Sequence, residues 1–442
     1  MRRLFFSAVA GAIALTLAAS AQQVGPNVNT MSGTDPKTGD AFLQRQNEPA
    51  VAISTRNADH VMLAFNDYRT VDIALDVTEP DAAVFARAGQ KPRREGALTR
   101  EAVRAQTPAE AWIGLAFSRD RGRTFYNALL PGYPQDLSTV GTASPIYGDN
   151  AATDPILITG QNGRVYLIAL TFDRGGISRI SSTRFTDRNN VEGGEPFYFD
   201  FTKEIDRGSL SSKGRFGDKP SAAAYAGTTS GAFSTSGVSK KKKQIVTVPG
   251  CERLYTAYTV FEGTDANGNF RSTIYAAVSA SCGESWSNPV KVSGPYSVNG
   301  VNYPGTRNQG TTTAVDPDTG EVYIAWRTYS PNGMAYVTST DGGLTFSAPR
   351  SIVQGEIFPF DQRLLKTTDG TNVMTFRSNA YPSLTIYDAK PFVVWSERID
   401  LATGASSATG APRAVMTVGT KNADGSTTWC GPWASTASPS PR

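Results

Sequence analysis

One eight-residue motif constrains this chain more than any other stretch. Ser339-Thr340-Asp341-Gly342-Gly343-Leu344-Thr345-Phe346 follows an alternating apolar run, Met334 to Val337. The pattern is Ser/Thr-x-Asp-x-Gly-x-Thr-aromatic, and its chemistry is that of a locked turn. Asp341 can accept hydrogen bonds from nearby backbone N–H groups. Gly343 supplies the positive φ that other residues avoid. Thr345 and Phe346 then restart a strand. The pattern recurs in full at Ser118-Arg119-Asp120-Arg121-Gly122-Arg123-Thr124-Phe125. A degenerate copy at 279–286 has Ser281 in the Asp position, and another, from Asp424 to Trp429, has Ser426 in the Gly position. Related turns spread along one chain mean a repeat architecture.

These turns resemble the Asp boxes, or BNR repeats, of the sialidase superfamily. The resemblance implies an all-β fold, a sialidase-like β-propeller of four-stranded antiparallel blades, with six blades expected. It places the boxes on outer turns, away from the face that carries chemistry. Such boxes also occur in propellers that are not sialidases, so the resemblance speaks for the fold more than for the reaction.

Five units of period-2 apolar strands support it. Their first strands, A, start near Glu48, Asp154, Pro220, Thr311 and Pro382; their second strands, B, end near Phe65, Phe172, Phe261, Trp326 and Trp395. The openings rhyme: Asn47-Glu48-Pro49, Thr153-Asp154-Pro155, Asp218-Lys219-Pro220 and Ala380-Tyr381-Pro382. The propeller is expected over 22–433, with insertions at 70–111, 203–217 and 227–250 and a Ser/Pro tail at 434–442. The 70–111 insertion leaves from a B end, so it is expected as a partly helical cap beside Asp67 and Arg69.

Residues 1–21 read as a signal peptide: Arg2 and Arg3, an apolar core from Leu4 to Leu17, then Ala19-Ser20-Ala21. A secreted or periplasmic protein is expected, and removing the two arginines lowers the net charge from +4 to +2. No later stretch is apolar enough to span a bilayer. Lys240 to Lys243 lack the interleaved aromatics of a nucleic-acid site and read as a solvated loop. No cofactor and no metal are expected, and the chain is expected to be a monomer. With three cysteines and no CxxC, zinc spacing is absent. The single histidine, His60, opens an apolar strand and reads as a surface or strand-end residue. Hydrolysis, if any, therefore falls to carboxylates, Tyr and Arg. Cys251 precedes strand B of the third unit and Cys282 follows strand C. Antiparallel neighbours bring those ends together, so a Cys251–Cys282 disulfide is expected, with Cys430 left over.

Strand A starts where strand B ends, and A is innermost. That face therefore surrounds the axial mouth. Its B ends supply Asp67, Arg69, Glu262, Arg327, Glu397 and Arg398; its A starts supply Glu48, Asp154, Asp218, Gln309 and Tyr381. Arg377 could join them. The sialidase resemblance implies arginines on a substrate carboxylate, a Tyr nucleophile helped by a Glu, and an Asp as acid/base. On this chain it assigns Arg69, Arg327, Arg377 and Arg398 to substrate, Tyr381 with Glu262 to nucleophilic attack, and Asp67 to proton transfer. Where the family opens its first blade with an Arg-Ile-Pro-like motif, this chain has Asn47-Glu48-Pro49, and Glu48 would repel a carboxylate. Two readings stay open: an exo-sialidase-like glycoside hydrolase acting on acidic sugars of glycoconjugates, or a non-catalytic propeller binding glycans or proteins.

Overall fold

The computed structural model describes residues 28, 30–31, 46–70, 110–173, 176–189, 196–209, 214–227, 247–264, 268, 270–353, 355–359, 364–366, 372–374, 379–431 and 433–434. Residues 1–21, expected as a signal peptide, Arg377, residues 435–442 of the tail and most of the 70–111 and 227–250 stretches lie outside these residues.

Among the described residues the chain folds into successive antiparallel sheets whose strands follow chain order. The first blade is β1 (Gln46–Ile53), β2 (Val61–Asp67), β3 (Trp112–Ser118) and β4 (Tyr126–Leu129). A short helix, α1 (Thr139–Thr142), lies in the connection to the second: β5 (Ala151–Thr159), β6 (Arg164–Phe172), β7 (Ile177–Asp187) and β8 (Phe197–Ser209). The third is β9 (Arg215–Tyr225), β10 (Arg253–Thr264), β11 (Phe270–Ser279) and β12 (Val290–Lys291). A hairpin, β13 (Tyr296–Val298) and β14 (Val301–Tyr303), leads to the fourth: β15 (Asn308–Val315), β16 (Val322–Tyr329), β17 (Asn332–Ser339) and β18 (Arg350–Ser351). A second hairpin, β19 (Leu364–Lys366) and β20 (Asn372–Met374), precedes the fifth. That blade is β21 (Ser383–Tyr387), β22 (Lys390–Ile399), β23 (Ala411–Lys421) and β24 (Thr427–Trp429), with β25 (Trp433–Ala434) also on β23.

The sheets stand radially, as in a β-propeller. Their first strands pack in series, β1 on β5, β5 on β9, β9 on β15 and β15 on β21. Between blades lie apolar cores contributed by both faces. Trp112, Leu115 and Phe117 meet Leu167, Phe185 and Phe197 between the first and second. Leu170 and Ile180 meet Leu254, Tyr258 and Val260 between the second and third. Ile274 and Val278 meet Val322, Ile324 and Trp326 between the third and fourth. Tyr323 and Tyr336 meet Val393, Trp395 and Val415 between the fourth and fifth. Alternation along each strand sends successive side chains to opposite cores, which is why one period-2 pattern serves two interfaces.

Register fixes the two ends of the molecule. Gln46 lies opposite Asp67, Ala151 opposite Phe172, Arg215 opposite Glu262 and Asn308 opposite Thr328. In the first four blades the first-strand start is thus level with a second-strand end, on the axial mouth; in the fifth, Ser383 lies opposite Val394 and β22 runs on to Ile399. The Ser/Thr-x-Asp turns join third to fourth strands at the other end. Asp341 accepts from the N–H of Leu344 and of Thr345, each at 3.0 Å, and Gly343 N–H donates to Ser339 Oγ at 2.8 Å. Asp120 repeats this frame with Arg123 and Thr124. Ser281 substitutes one hydroxyl, accepting from Ser285 N–H at 3.0 Å. Beside it, Cys251 and Cys282 are bonded to each other.

Two expectations need correction. The 203–217 stretch is not an insertion: β8 runs on to Ser209 and β9 begins at Arg215, with 210–213 outside the described residues. Its charges hid the alternation, because they pair across strands, Arg179 with Glu204 and Arg215 with Asp206. His60 is at a strand end but not at the surface. It is fully buried, 2.9 Å from the Asp187 carboxylate, which also accepts from Ser54.

Candidate active site

Each inner strand bends where it reaches the mouth. The β1, β5 and β15 ladders slip between Asn47 and Ala50, Thr153 and Ile156, and Gln309 and Thr312. At each slip one residue has positive φ: Glu48 at 52°, Asp154 at 55° and Gly310 at 67°. Lys219, at 41°, does the same in β9, and Ala380, at 50°, precedes β21. Pro49, Pro155 and Pro220 follow three of them, and a residue without an N–H cannot continue a ladder. The left-handed region costs a non-glycine residue about 1–2 kcal/mol. Strain of this kind gathers at functional sites. Here three strained residues carry charge, and their charges touch.

Lys219 Nζ lies 2.7 Å from Asp154 Oδ1 and 3.1 Å from Glu48 Oε2. The two carboxyl groups also share a hydrogen bond. Asn66 Oδ1 steadies the turn by accepting from Asp154 N–H at 3.0 Å. Glu48 is 42% exposed at its side chain and Asp154 only 10%, so water reaches the cluster from the Glu48 side. The environments split the pair. Burial, then the hydrogen bond with Glu48, raises Asp154 to about 7, against the pull of Lys219. The same hydrogen bond, with Lys219, holds Glu48 below its ordinary value despite burial. Asp154 therefore holds a proton up to about 7 while Glu48 ionises more readily than an ordinary carboxyl.

A second polar run continues around the mouth. Gln309 Nε2 donates to Asp218 Oδ2 at 2.8 Å, and Tyr329 Oη donates to Gln309 Oε1 at 3.4 Å. Tyr381 hydrogen-bonds with Tyr329 and accepts from Asn379 Nδ2 at 2.8 Å. Burial raises Asp218, opposed by Gln309 and Lys219. Burial, then Tyr329, pushes the Tyr381 phenol well above its ordinary value, so it keeps its proton.

The residues singled out by sequence divide. Tyr381 stands in this run. Asp67 and Arg69 do not open onto it: both are fully buried and paired with each other, Arg69 Nε at 2.7 Å from Asp67 Oδ2, with Arg69 Nη2 on the Ala128 carbonyl. Glu262 is not with Tyr381. It accepts from Tyr275 Oη at 3.0 Å and Arg215 Nε at 3.2 Å. Arg327 is fully buried, donating to the Thr328 and Gly333 carbonyls, with its guanidinium over the Tyr329 ring. Arg398 donates to the Ala408 carbonyl at 2.8 Å. Arg377 lies outside the described residues. Glu48, Asp154, Asp218, Gln309 and Tyr381, the first-strand starts, are the residues that gather. Lys219 was missing from that set, although the rhymed openings align it with Glu48 and Asp154. The fifth opening rhymes one residue out of step, because Ala380 and not Tyr381 takes the positive φ. Among the described residues no group of three or more His, Cys, Asp or Glu could hold a metal ion. Among them, too, no helix is long and apolar enough to cross a membrane.

No protein-family model matches the chain. No curated protein matches it either. Among solved structures it is similar to the leech intramolecular trans-sialidase complexed with 2,7-anhydro-Neu5Ac, at 13% identity and a TM-score of 0.41, over 93% of this chain and 63% of that one. It is similar to the NanB sialidase from Streptococcus pneumoniae at 12% identity and a TM-score of 0.36, over 92% of this chain and 64% of that one. A protein of unknown function from Dyadobacter fermentans is similar at 13% identity and a TM-score of 0.38, over 90% of this chain and 95% of that one. The chain spans less than two thirds of the length of those two sialidases. At this distance the likeness says nothing about chemistry.

Proposed function

We propose that the protein is a glycoside hydrolase whose reacting groups are carboxylates of the axial mouth. The observation that carries this reading is Asp154, held at about 7 against an ionised Glu48 and within reach of water. Split proton affinities in one cluster are the signature of acid/base work. Glu48 and Asp154 touch, so they are too close to flank a glycosidic bond, which needs carboxyl groups roughly 5–9.5 Å apart. Asp154 and Asp218 are the flanking pair in this reading. Asp154 gives its proton to the glycosidic oxygen as the bond to the anomeric carbon breaks. Water adds there and its proton goes to Asp218. Glu48 and Lys219 set the charge around the donor. A panel of aryl glycosides tests the reading: Asp154→Asn and Asp218→Asn are each expected to lower kcat at least 100-fold with the fold intact. Glycan binding with no turnover would favour the non-catalytic reading.

One observation favours a second reading, the acidic-sugar hydrolase. Tyr275 Oη sits on Glu262 with Arg215 beside both, a tyrosine–carboxylate pair with a cation. It transfers the nucleophilic role from Tyr381 to Tyr275. Release of dye from a fluorogenic sialoside, lost in Tyr275→Phe, would support it.

A further inference from the structure

We infer that the axial mouth takes an uncharged sugar ring laid against Tyr381, and rejects sugar acids. The inference rests on the reading of the mouth as a glycoside-processing site and adds its substrate class. It follows first from charge. At this cluster Glu48 and Asp218 add two carboxyl groups beside the Asp154–Lys219 pair, and the Lys219 amine is already engaged by Glu48 and Asp154. A ligand carboxylate entering here meets like charge, and like-charge juxtaposition is the usual means of excluding a wrong ligand. Among the described arginines expected to offset it, Arg69 and Arg327 are fully buried, and Arg398 is held by a carbonyl. Arg69 serves Asp67 and the Ala128 carbonyl, Arg327 serves two carbonyls of its own hairpin, and Arg398 serves that of Ala408.

The adjoining run of the mouth is built differently. Gln309, Tyr329 and Tyr381 are uncharged, and the Tyr381 phenol keeps its proton. The Tyr381 ring lies so close over Gly310 that any β-carbon there would collide with it. That contact backs the ring with main chain and fixes its tilt. A fixed aromatic face suits the C–H face of a pyranose. The carboxylates and the Gln309 amide then accept from and donate to ring hydroxyls, the pairing that discriminates most strongly when it is lost.

Matched pairs of sugars test this on the full chain: lactose against 3′-sialyllactose, and xylotriose against trigalacturonate, with affinity read by ligand-observed NMR. At least one neutral member is expected to bind ten-fold or more tighter than its acidic counterpart. Tyr381→Leu, which keeps bulk against Gly310 without an aromatic face, is expected to lose that binding ten-fold or more, and Tyr381→Phe to retain it. Equal or tighter binding of the acidic members, indifference to Tyr381→Leu, or no binding of either class would overturn the inference. Asp154→Asn separates it from the underlying reading. Neutral-sugar binding through Tyr381 with no Asp154-dependent turnover would sink the hydrolase and leave the ligand class standing.

Discussion

At the scale of residues, the weight falls on Lys219 and the two carboxyl groups it bridges. Its amine lowers Asp154, while the Glu48 hydrogen bond raises it. The two substitutions that remove these influences therefore move the donor in opposite directions. In Lys219→Met the alkaline limb of any pH–rate profile is expected to shift upward from about 7; in Glu48→Gln it is expected to shift downward. A shared direction would show that the limb belongs to another group. Stability carries the same signature. Asp154 is raised in the folded protein from an ordinary value of about 3.9, so the folded state holds the extra proton between that value and about 7. The resulting stabilisation is full below about 4 and is lost as pH rises through about 7. Denaturant unfolding across that window should show this slope in the wild type and lose it in Asp154→Asn. The positions of these groups were legible in the sequence, since strand starts and ends alone name Glu48, Asp154 and Asp218. Their partners were not. Whether an arginine faces a mouth or its own hairpin, as Arg327 does, depends on a rotamer that spacing does not encode.

At the scale of elements, strands were readable and their charged extensions were not. The β6 limits, Arg164 and Phe172, enclose an apolar run from Val165 to Leu170, whereas β8 continues through Lys203, Glu204, Asp206 and Arg207, with Ile205 buried among them. Pairing across strands made those charges compatible with a sheet, and pairing is not visible in one strand alone. The turns tell the same story in reverse, because their bonds are local. Burial opposes ionisation of Asp341, but its bonds from Thr345, Ser339 and Leu344 hold it below the ordinary carboxylate value. Asp341→Ala removes the acceptor of two backbone N–H groups and is expected to destabilise by about 1–3 kcal/mol in denaturant titration. The Ser281 turn has one hydroxyl where Asp341 has two oxygens, and the Cys251–Cys282 bond closes a separation of 31 residues beside it. Cys251→Ser with Cys282→Ser should cost about 3–4 kcal/mol, read as a lower unfolding midpoint. An unchanged midpoint would mean that the bond does not form in the protein.

At the scale of the whole molecule, each interface between neighbouring blades has its own core, with one exception among the described residues. On the faces of the first and fifth blades that look away from their neighbours, Val51 is 60%, Ile53 54%, Tyr387 75% and Val394 38% exposed. On the first blade Met31 is buried there with Phe65 and Ala116, and Leu63 and Phe125 pack against them. Val394→Asp is therefore expected to change stability by no more than about 0.5 kcal/mol, against several for Ile324→Asp between the third and fourth blades. A large cost for Val394→Asp would show that other parts of the chain cover that face.

The same radial plan delivers five strand starts to one mouth, and three of them arrive strained, charged and in contact. The central claim is that this convergence poises a proton on Asp154. A site-specific carbon-13 NMR titration of the Asp154 carboxyl in the wild-type chain tests it without any substrate. The account predicts a midpoint at about 7 that moves upward in Lys219→Met. A midpoint near the ordinary value of about 4, unmoved by the loss of Lys219, would contradict it.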